Sequence, residues 1–290
     1  MKIKAITQWA GAKRNLAKVI VGFLGPHDAY WEPFCGGMSV LMVKRLSRIE
    51  VVNDLHGNLI NLARIIKDPR DGARLYRRLR RTLFCQELHR EIQEQLKEEA
   101  DPFERAYDYF VKTWMSWGGV AGTKRAGYKM SIRYTNSGGH QAKRFFSAVD
   151  SIPAWRRRLR NVTILNEDAF KLIPLIEDRE GTVVYCDPPY IEKGFRYDHD
   201  FQPEDHDRLA ELLRRFTKTR IVLSYYDHPR LQTLYPDWPY RKIEVTQALV
   251  NSQKRGGKRR KAVEVLLCNQ EIDNGQQTLF PKEQARGYTK

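Results

Sequence analysis

The sequence predicts an α/β protein with one mostly parallel sheet, a terminal antiparallel hairpin and an inserted, mainly helical subdomain. Three observations support this fold. Short apolar strands alternate with amphipathic helices over residues 1–68 and 161–270, as in a parallel sheet covered by helices. Residues 69–160 are instead charged and then basic and Gly-rich, so we interpret them as the insertion. Residues 271–290 are polar and predict a flexible tail.

The first unit, residues 1–68, is expected to form a helix, a strand, a helix, a strand and a helix, in that order. Its helical segments place apolar residues three and four apart, and its strands are short β-rich runs. A turn at residues 34–39, with Gly36 and Gly37, separates the first strand from the second helix. The elements are a helix over residues 15–24, a strand over 29–33, a helix over 40–46, a strand over 49–54 and a helix over 58–66.

The insertion differs from both flanking parts in composition. Residues 75–99 are predicted to form a charged helical region, and residues 103–115 a second helical region that is rich in aromatic residues. The Gly-rich stretch 117–122 breaks the second helix. Residues 124–146 are basic and rich in Gly, Ser and Asn, so we expect a hairpin or loop there rather than a helix.

The second unit continues the sheet and ends it with the hairpin. Pro203 suits the first turn of a helix in which Leu209, Leu212 and Leu213 share one face. Basic residues 254–260 join the two final β-rich runs as a hairpin tip. The elements are strands over residues 162–165 and 182–186, a helix over 203–216, a strand over 220–224, and β-rich runs over 240–249 and 262–268.

The charge of the chain favours a polyanionic partner. Lys and Arg number 51 against 35 Asp and Glu, which gives a net charge of +16. Residues 70–160 hold 20 of these basic residues but only 10 of the acidic ones, so much of the surplus lies in the predicted insertion. Basic side chains near phosphates gain affinity through counterion release. Nucleic acid is therefore the expected partner, and a solvated helical surface is the alternative.

Several classes of protein are disfavoured. The four cysteines, Cys35, Cys85, Cys186 and Cys268, form no Cys-x-x-Cys pair, so we expect free thiols rather than a zinc site or a disulfide framework. No apolar run reaches the length of a membrane span, and the N-terminal residues lack the pattern of a signal peptide. We therefore expect a cytoplasmic protein without a membrane partner.

Two features predict a ligand site at the carboxyl edge of the sheet. Gly36 and Gly37 lie in a strand-to-helix turn, where backbone N–H groups can approach a ligand closely. The spacing lacks the full G-x-G-x-x-G of a dinucleotide-binding fold, and a plain tight turn is the alternative. Asp54 ends the next strand, where an acid commonly holds ribose hydroxyls. It is also placed to cap the helix that follows, and the two roles are compatible.

The run Asp187-Pro188-Pro189-Tyr190 carries the strongest chemical signal. Two prolines directly after an apolar strand force the chain to leave the sheet in a fixed direction. The Asp187 carboxylate and the Pro188 carbonyl can then both accept hydrogen bonds from one NH2 group. Two acceptors would stabilise the positive charge that grows on a weakly nucleophilic amine such as adenine N6. Tyr190 offers a ring for base stacking, and an ordinary loop after a strand is the alternative.

Five segments of the chain match known motifs in order: residues 9–13, where Ala12 replaces a family glycine, Glu32-Pro33-Phe34 with the glycines after it, Asn53-Asp54, Asp168-Ala169-Phe170, and Asp187 to Tyr190. Together they resemble the Dam-type family of DNA adenine-N6 methyltransferases, the alpha group, which depend on S-adenosylmethionine. The resemblance covers residues 9–67 and 160–269 and implies a Rossmann-like methyltransferase sheet. It also implies site-specific methylation of adenine N6 in double-stranded DNA, by base flipping and direct in-line transfer.

The resemblance implies a role for individual residues as well. Asp187, Pro188, Pro189 and Tyr190 would be catalytic, and no metal is implied. The residues implied to bind S-adenosylmethionine are Trp9, Lys13, Glu32, Phe34, Asp54, Asp168 and Asp187.

In the resembled family the insertion reads the DNA sequence. Here it offers basic and aromatic side chains suited to phosphate, base-edge or stacking contacts. They do not match the family's readers one by one, so no target sequence is carried over. The basic hairpin tip would grip the DNA backbone, with a solvated tip as the alternative. The candidate DNA-binding residues are Trp117, Lys124, Arg125, Tyr128, Lys129, Arg133, Lys143 and Arg144 in the insertion, and Lys254, Arg255 and Lys258 at the tip.

The tail suggests one further partner. Gln276 to Phe280 resembles the Q-x-x-L-F peptides by which bacterial DNA enzymes dock on the sliding clamp, although so short a motif also arises by chance. Association with the nucleoid would follow from DNA binding.

Two alternative functions compete with adenine methylation. One is N-methylation of cytosine N4, RNA or a protein glutamine, which is disfavoured because those enzymes usually carry Ser or Asn where this chain has Asp187. Cytosine-C5 methylation is not a further alternative, because enzymes of that class typically carry a Pro-Cys pair and no cysteine in this chain follows a proline. The other is a catalytically silent DNA-binding protein that uses the basic insertion alone. The intact residues Lys13, Asp54 and Asp187 argue against it.

Overall fold

A computed structural model of the chain describes residues 6–9, 11–95, 101–116, 141–192, 199–246 and 261–271. Seven strands form one sheet in these residues. The strands are β1 (Ala29–Glu32), β2 (Ile49–Asn53), β3 (Thr163–Leu165), β4 (Thr182–Cys186), β5 (Arg220–Tyr226), β6 (Tyr240–Thr246) and β7 (Lys261–Cys268).

The sheet has the strand order β3-β2-β1-β4-β5-β7-β6. The first five strands in this order pair in parallel, whereas β7 pairs antiparallel with both β5 and β6. The predicted α/β fold, mostly parallel with a terminal antiparallel hairpin, is confirmed. Because β1, β2 and β4 are parallel neighbours, their carboxyl ends meet at one edge. Glu32, Asn53 and Cys186 end these strands, so the residues that follow them face a common space.

Helices cover the sheet and fill the stretch between β2 and β3. The long helices α3 and α6 pack against each other, and α4 and α8 pack on α3. The helices are α1 (Ala17–Phe23), α2 (Ser39–Val43), α3 (Gly57–Lys67), α4 (Pro69–Arg80), α5 (Gln86–Gln95), α6 (Pro102–Met115), α7 (Gln141–Val149), α8 (Ile152–Leu159), α9 (Ala169–Leu172), α10 (Pro203–Arg214) and α11 (Arg230–Leu234).

Sequence signals mark several helix starts. Asp68 caps α4 by accepting hydrogen bonds from the N–H groups of Arg70 and Asp71, both at 2.8 Å, and Pro69 occupies the first turn. Asp101 and Pro102 repeat this arrangement at α6. An oxygen acceptor before a helix satisfies N–H groups that lack an intrahelical partner, and a proline costs no hydrogen bond there.

One sequence expectation is wrong. Residues 141–146, predicted as part of a hairpin or loop, belong to helix α7. The polar composition suggested a loop, but tertiary packing decides the structure. The Phe145 ring is fully buried and meets Phe84 and Phe110 edge to face, with centroids 5.8 Å apart in both cases. Helix α8 was not predicted at all. The division of the chain at 68/69 and 160/161 stays a prediction, and one hydrophobic core includes residues on both sides of it.

A buried ion network joins α8 to the sheet. The Arg158 guanidinium of α8 donates two hydrogen bonds to the Glu50 carboxylate on β2, from Nη1 to Oε2 at 2.5 Å and from Nη2 to Oε1 at 2.8 Å. The Lys44 ammonium lies 2.5 Å from the same Oε1. The side chains of Lys44 and Glu50 are 1% and 2% exposed, so these charges depend on each other rather than on water.

Within the described ranges, no helix is long and apolar enough to cross a lipid bilayer. The same residues contain no group of three His, Cys, Asp or Glu side chains placed to hold a metal ion. All four cysteines are free thiols.

Candidate active site at the carboxyl edge of the sheet

A cavity of about 480 Å³ opens where β1, β2 and β4 end. The residues expected to bind the cofactor come from five separate parts of the sequence, yet all of them line this single cavity. Pro189 lines it too, whereas Pro188 and Tyr190 are buried beside it. The expected residues in its wall are Trp9, Lys13, Glu32, Phe34, Asp54, Asp168 and Asp187.

The turn after β1 brings its backbone against Trp9. Gly36 has a φ of +43°, a conformation that side-chain-bearing residues rarely adopt. A Cβ atom at Gly36 would lie 2.8 Å from Trp9 Nε1, so only glycine lets the indole and the turn approach this closely. Met38 also has a positive φ, of 57°, although it is not a glycine. Such backbone strain is typical of ligand-binding turns.

Asn53 ties three strand ends together. Its Nδ2 donates to the Pro33 carbonyl after β1 at 3.0 Å and to the Glu167 carbonyl after β3 at 2.9 Å. Its Oδ1 accepts from Glu167 N at 2.8 Å, and its own carbonyl accepts from Cys35 N at 2.8 Å. The side chain is buried, so these hydrogen bonds fix the three loops at the cavity relative to one another.

Asp54 directly follows Asn53 and holds the Gly36 turn. Its Oδ2 accepts from Gly36 N at 2.8 Å and its Oδ1 accepts from His56 N at 2.9 Å. Burial raises the pKa of the carboxyl group, and the hydrogen bonds from His56 and Gly36 oppose that rise. The N-cap of α3 is His56, whose ring nitrogen accepts from Leu59 N, so the capping role considered for Asp54 belongs to His56.

Glu32 lies deep at the end of β1 and is 2% exposed. The Tyr30 hydroxyl donates to its Oε2 at 2.9 Å. Burial raises the pKa of Glu32 to about 8, which makes the protonated acid its main form at neutral pH. The cavity therefore has one neutral acid, Glu32, at the end of β1, beside the strand that Asp187 follows.

The Asp187 carboxylate is held from two sides. Lys13 Nζ lies 3.0 Å from Asp187 Oδ1, and the Ser224 hydroxyl of β5 donates to the same oxygen at 2.8 Å. Lys13 Nζ also donates to the Gly11 carbonyl at 2.9 Å. Burial alone would lower the pKa of Lys13, but the carboxylates of Asp187 and Glu264 outweigh it and raise that pKa. Lys13 is therefore a cation at neutral pH. The contacts that Asp187 makes with Lys13 and Ser224 in the described part of the chain both engage Oδ1.

An aromatic wall closes the side of the cavity near Asp168. The Phe170 and Phe201 rings stack with centroids 5.4 Å apart, and Phe34 meets Phe201 edge to face at 5.7 Å. The Arg208 guanidinium lies over the Phe170 ring at 4.4 Å. Asp168 caps α9 by accepting from Phe170 N at 2.9 Å. No sequence pattern assigns Phe201 and Arg208 to the site, because they belong to α10 and the loop before it, where no motif occurs.

Of the residues expected to touch DNA, Lys143 and Arg144 lie within the described ranges. Both are exposed on α7. Burial lowers the pKa of Arg14, and the nearby positive charge of Arg144 lowers it further, so positive charge accumulates beside the segment that carries Lys13. The remaining candidates lie outside the described residues: Trp117, Lys124, Arg125, Tyr128, Lys129, Arg133, Lys254, Arg255, Lys258 and the segment from Gln276 to Phe280.

Several known proteins are similar to this chain over almost its whole length. The DNA adenine methylase of Escherichia coli strain K12 is 26% identical over 283 residues, which cover 91% of this chain and 95% of that protein. The DNA adenine methylase of Salmonella typhimurium is 26% identical over 287 residues, with coverage of 93% and 96%. The Type II methyltransferase M1.LlaDCHI of Lactococcus lactis subsp. cremoris is 24% identical over 285 residues, with coverage of 93% and 96%.

The family model covers far more than the motifs themselves. It matches residues 9–252, a span that starts at Trp9 and includes both the cavity residues and the helices between β2 and β3. The predicted resemblance is thereby confirmed. This chain belongs to the D12 class N6 adenine-specific DNA methyltransferases.

Proposed function

We propose that this chain methylates adenine N6 in double-stranded DNA from S-adenosylmethionine, with Asp187 as the acceptor of the reacting amine. Membership of the family carries the reaction type. The observation that carries the residue assignment is the position of Asp187 at the cavity, where Lys13 and Ser224 fix its Oδ1 at 3.0 and 2.8 Å.

The cavity suits S-adenosylmethionine in its size and in its lining. The aromatic wall of Phe34, Phe170 and Phe201 would hold the purine beside Asp168, and Asp54 would meet the ribose hydroxyls. Ser39 lines the same cavity, and its buried hydroxyl has no hydrogen-bond partner among the described residues, so it is available to a polar ligand. When bound, the cofactor supplies a methyl group already activated by a sulfonium.

The chemical task of the protein is to hold the amine. Lys13 and Ser224 engage Oδ1 of Asp187, which leaves Oδ2 to accept a hydrogen bond from the adenine NH2 group. The Pro188 carbonyl would accept the second hydrogen. These fixed acceptors would stabilise the positive charge that develops on nitrogen during attack. Positioning and charge stabilisation are then the main contributions of the chain.

The target adenine has to leave the duplex to reach Asp187. The Asp187 side chain is 20% exposed and lies in a cavity too narrow for a double helix, so base flipping is the proposed route. Lys143 and Arg144, with the basic residues of 117–140 and 254–260, would hold the DNA backbone and read the sequence. Docking of Gln276 to Phe280 on a sliding clamp remains a separate prediction, and removal of all residues after Asp273 would abolish clamp binding if it is right.

The decisive experiment replaces Asp187 by Ala and measures methyl transfer to unmethylated plasmid DNA. We expect loss of transfer by a factor of about 10³ or more, while DNA affinity stays within about threefold, because the change removes an acceptor and no phosphate contact. Asp227→Ala, at an exposed acid paired with Lys242, is the control and should keep full activity. Single-molecule sequencing of the methylated DNA would identify the base and its context. Methylation by the Asp187 variant, or a modified base other than adenine, contradicts the proposal.

A further inference from the structure

Glu264 lies beneath the catalytic run although it follows it by more than seventy residues. It belongs to β7, whose register sets it opposite Tyr226 of β5. The residue is 5% exposed, and its Oε2 accepts a hydrogen bond of 2.7 Å from the Tyr190 hydroxyl. No motif in the sequence marks this glutamate, because its partner is brought to it only by the antiparallel hairpin.

The Tyr190 ring is held on several sides. The Lys13 ammonium lies over the ring, 4.8 Å from its centroid. The Tyr226 ring meets it edge-on at 4.6 Å and the Tyr225 ring packs at 5.5 Å. These contacts confine the plane of the ring, but only Glu264 holds its hydroxyl end among the described residues. An aromatic ring with one end hydrogen-bonded has a defined orientation that ring packing alone does not impose.

Glu264 also forms an ion pair with Lys13. Its Oε1 is 3.9 Å from Lys13 Nζ, compared with 3.0 Å for Asp187 Oδ1. The cation thus lies between two carboxylates, closer to the catalytic one. Removing the Glu264 charge would draw Lys13 toward Asp187 and reduce the ability of that carboxylate to accept a hydrogen bond from an amine.

We propose that Glu264 is the positioning residue of the catalytic run: it orients Tyr190 through the hydroxyl and balances Lys13 so that Asp187 remains an acceptor. This inference rests on the proposed function, because it assigns the residue to the same reaction. Glu264 is not among the residues that line the cavity. Its effect therefore reaches the reaction through Tyr190 and Lys13.

The test compares three single variants, Glu264→Gln, Glu264→Leu and Tyr190→Phe, with the double variant that combines Glu264→Leu and Tyr190→Phe. Gln keeps an oxygen acceptor and removes the charge, so we expect kcat to fall about tenfold. Leu removes both, and we expect a fall of about a hundredfold, as for loss of a hydrogen bond to a charged group. Affinities for S-adenosylmethionine and plasmid DNA should change less than about threefold. The kcat of the double variant should be no lower than that of Glu264→Leu alone, because both substitutions remove the same hydrogen bond between Tyr190 and Glu264.

The control is Glu244→Gln, at an exposed acid on β6 of the same hairpin, which should keep wild-type kcat. Thermal unfolding of every variant separates a catalytic effect from loss of fold, and Glu264→Gln keeps the test valid if the Leu variant is unstable. Wild-type kcat in Glu264→Gln and Glu264→Leu would overturn the inference, and so would losses that multiply in the double variant. A wild-type protein that methylates no adenine would overturn the proposed function itself, and this assignment with it.

Discussion

The Trp9 indole rests directly on the Gly36 backbone, so closely that a Cβ atom at Gly36 would come within 2.8 Å of Trp9 Nε1. Gly36 N donates in turn to Asp54 Oδ2 at 2.8 Å. The N-terminal segment, the turn after β1 and the acid after β2 thus form one wall of the cavity. Its geometry depends on the absence of a side chain at position 36.

Gly36→Ala should therefore weaken S-adenosylmethionine binding by at least about tenfold, because the methyl group displaces Trp9 and strains the turn. Isothermal titration measures the affinity. Gly22→Ala is the matched control: it lies in helix α1 with open space around the added methyl, and it should leave affinity unchanged and stabilise the fold by about 0.5–1 kcal/mol. Equal affinities in the two variants would contradict this account of the turn.

Glu32 should make stability depend on pH. Its pKa is raised to about 8 in the folded protein, against 4.5 when unperturbed, so its stabilising contribution is full below 4.5 and is lost as the pH rises to about 8. Glu32→Gln cannot ionise and should lose less stability between pH 5 and 8.5 than the wild type, by roughly 1.4 kcal/mol for each unit of pKa shift. Urea unfolding at several pH values provides the measurement. Parallel stability curves would show that Glu32 titrates normally.

The buried Glu50 network should be far more important to stability than a surface pair. Glu50→Gln leaves Lys44 and Arg158 without their shared carboxylate, and we expect unfolding to require about 3–5 kcal/mol less. Asp227→Asn, which breaks the exposed pair with Lys242, is the control and should change stability little. Both values come from chemical denaturation. A small effect at Glu50 would mean that water or a neighbouring group replaces the lost charge.

Lys143 and Arg144 should contribute to DNA affinity through phosphate contacts. Changing each to Ala should weaken binding to any duplex and lower the slope of log affinity against log salt concentration by about 0.9. Arg48→Ala is the control: this exposed arginine precedes β2, at the sheet edge opposite the cavity, and its loss should leave the slope unchanged. Unaltered slopes in the α7 variants would place the DNA on another surface.

Local sequence patterns were sufficient for the sheet, and the family resemblance was sufficient to select seven residues that line one cavity. Thr182–Cys186 is a strand as predicted, because a run of apolar residues ended by two prolines permits little else. The seven expected cavity residues converge because each lies at or near the end of a parallel strand or in the N-terminal segment. Asp54 and Asp187 follow from short-range signals, namely a strand-ending acid and a proline pair. The other five residues follow from the resemblance to the family.

Residues whose role depends on distant packing could not be predicted. Phe145 is helical because Phe84 and Phe110 surround it, and nothing near it in the sequence indicates them. Glu264 meets Tyr190 only through the β5–β7 register, and Arg158 meets Glu50 across 108 residues. A long-range contact leaves no periodicity in the sequence, so the structure is needed to identify it.

Asn53 has a consequence for how a ligand enters the cavity. Because one amide group bonds the loops after β1 and β3 from its place at the end of β2, the two ends of the cavity are already set relative to each other in the folded chain. The conformational entropy of these loops is lost during folding and need not be lost again on binding. Even a fragment of the ligand would thus meet a preorganised surface.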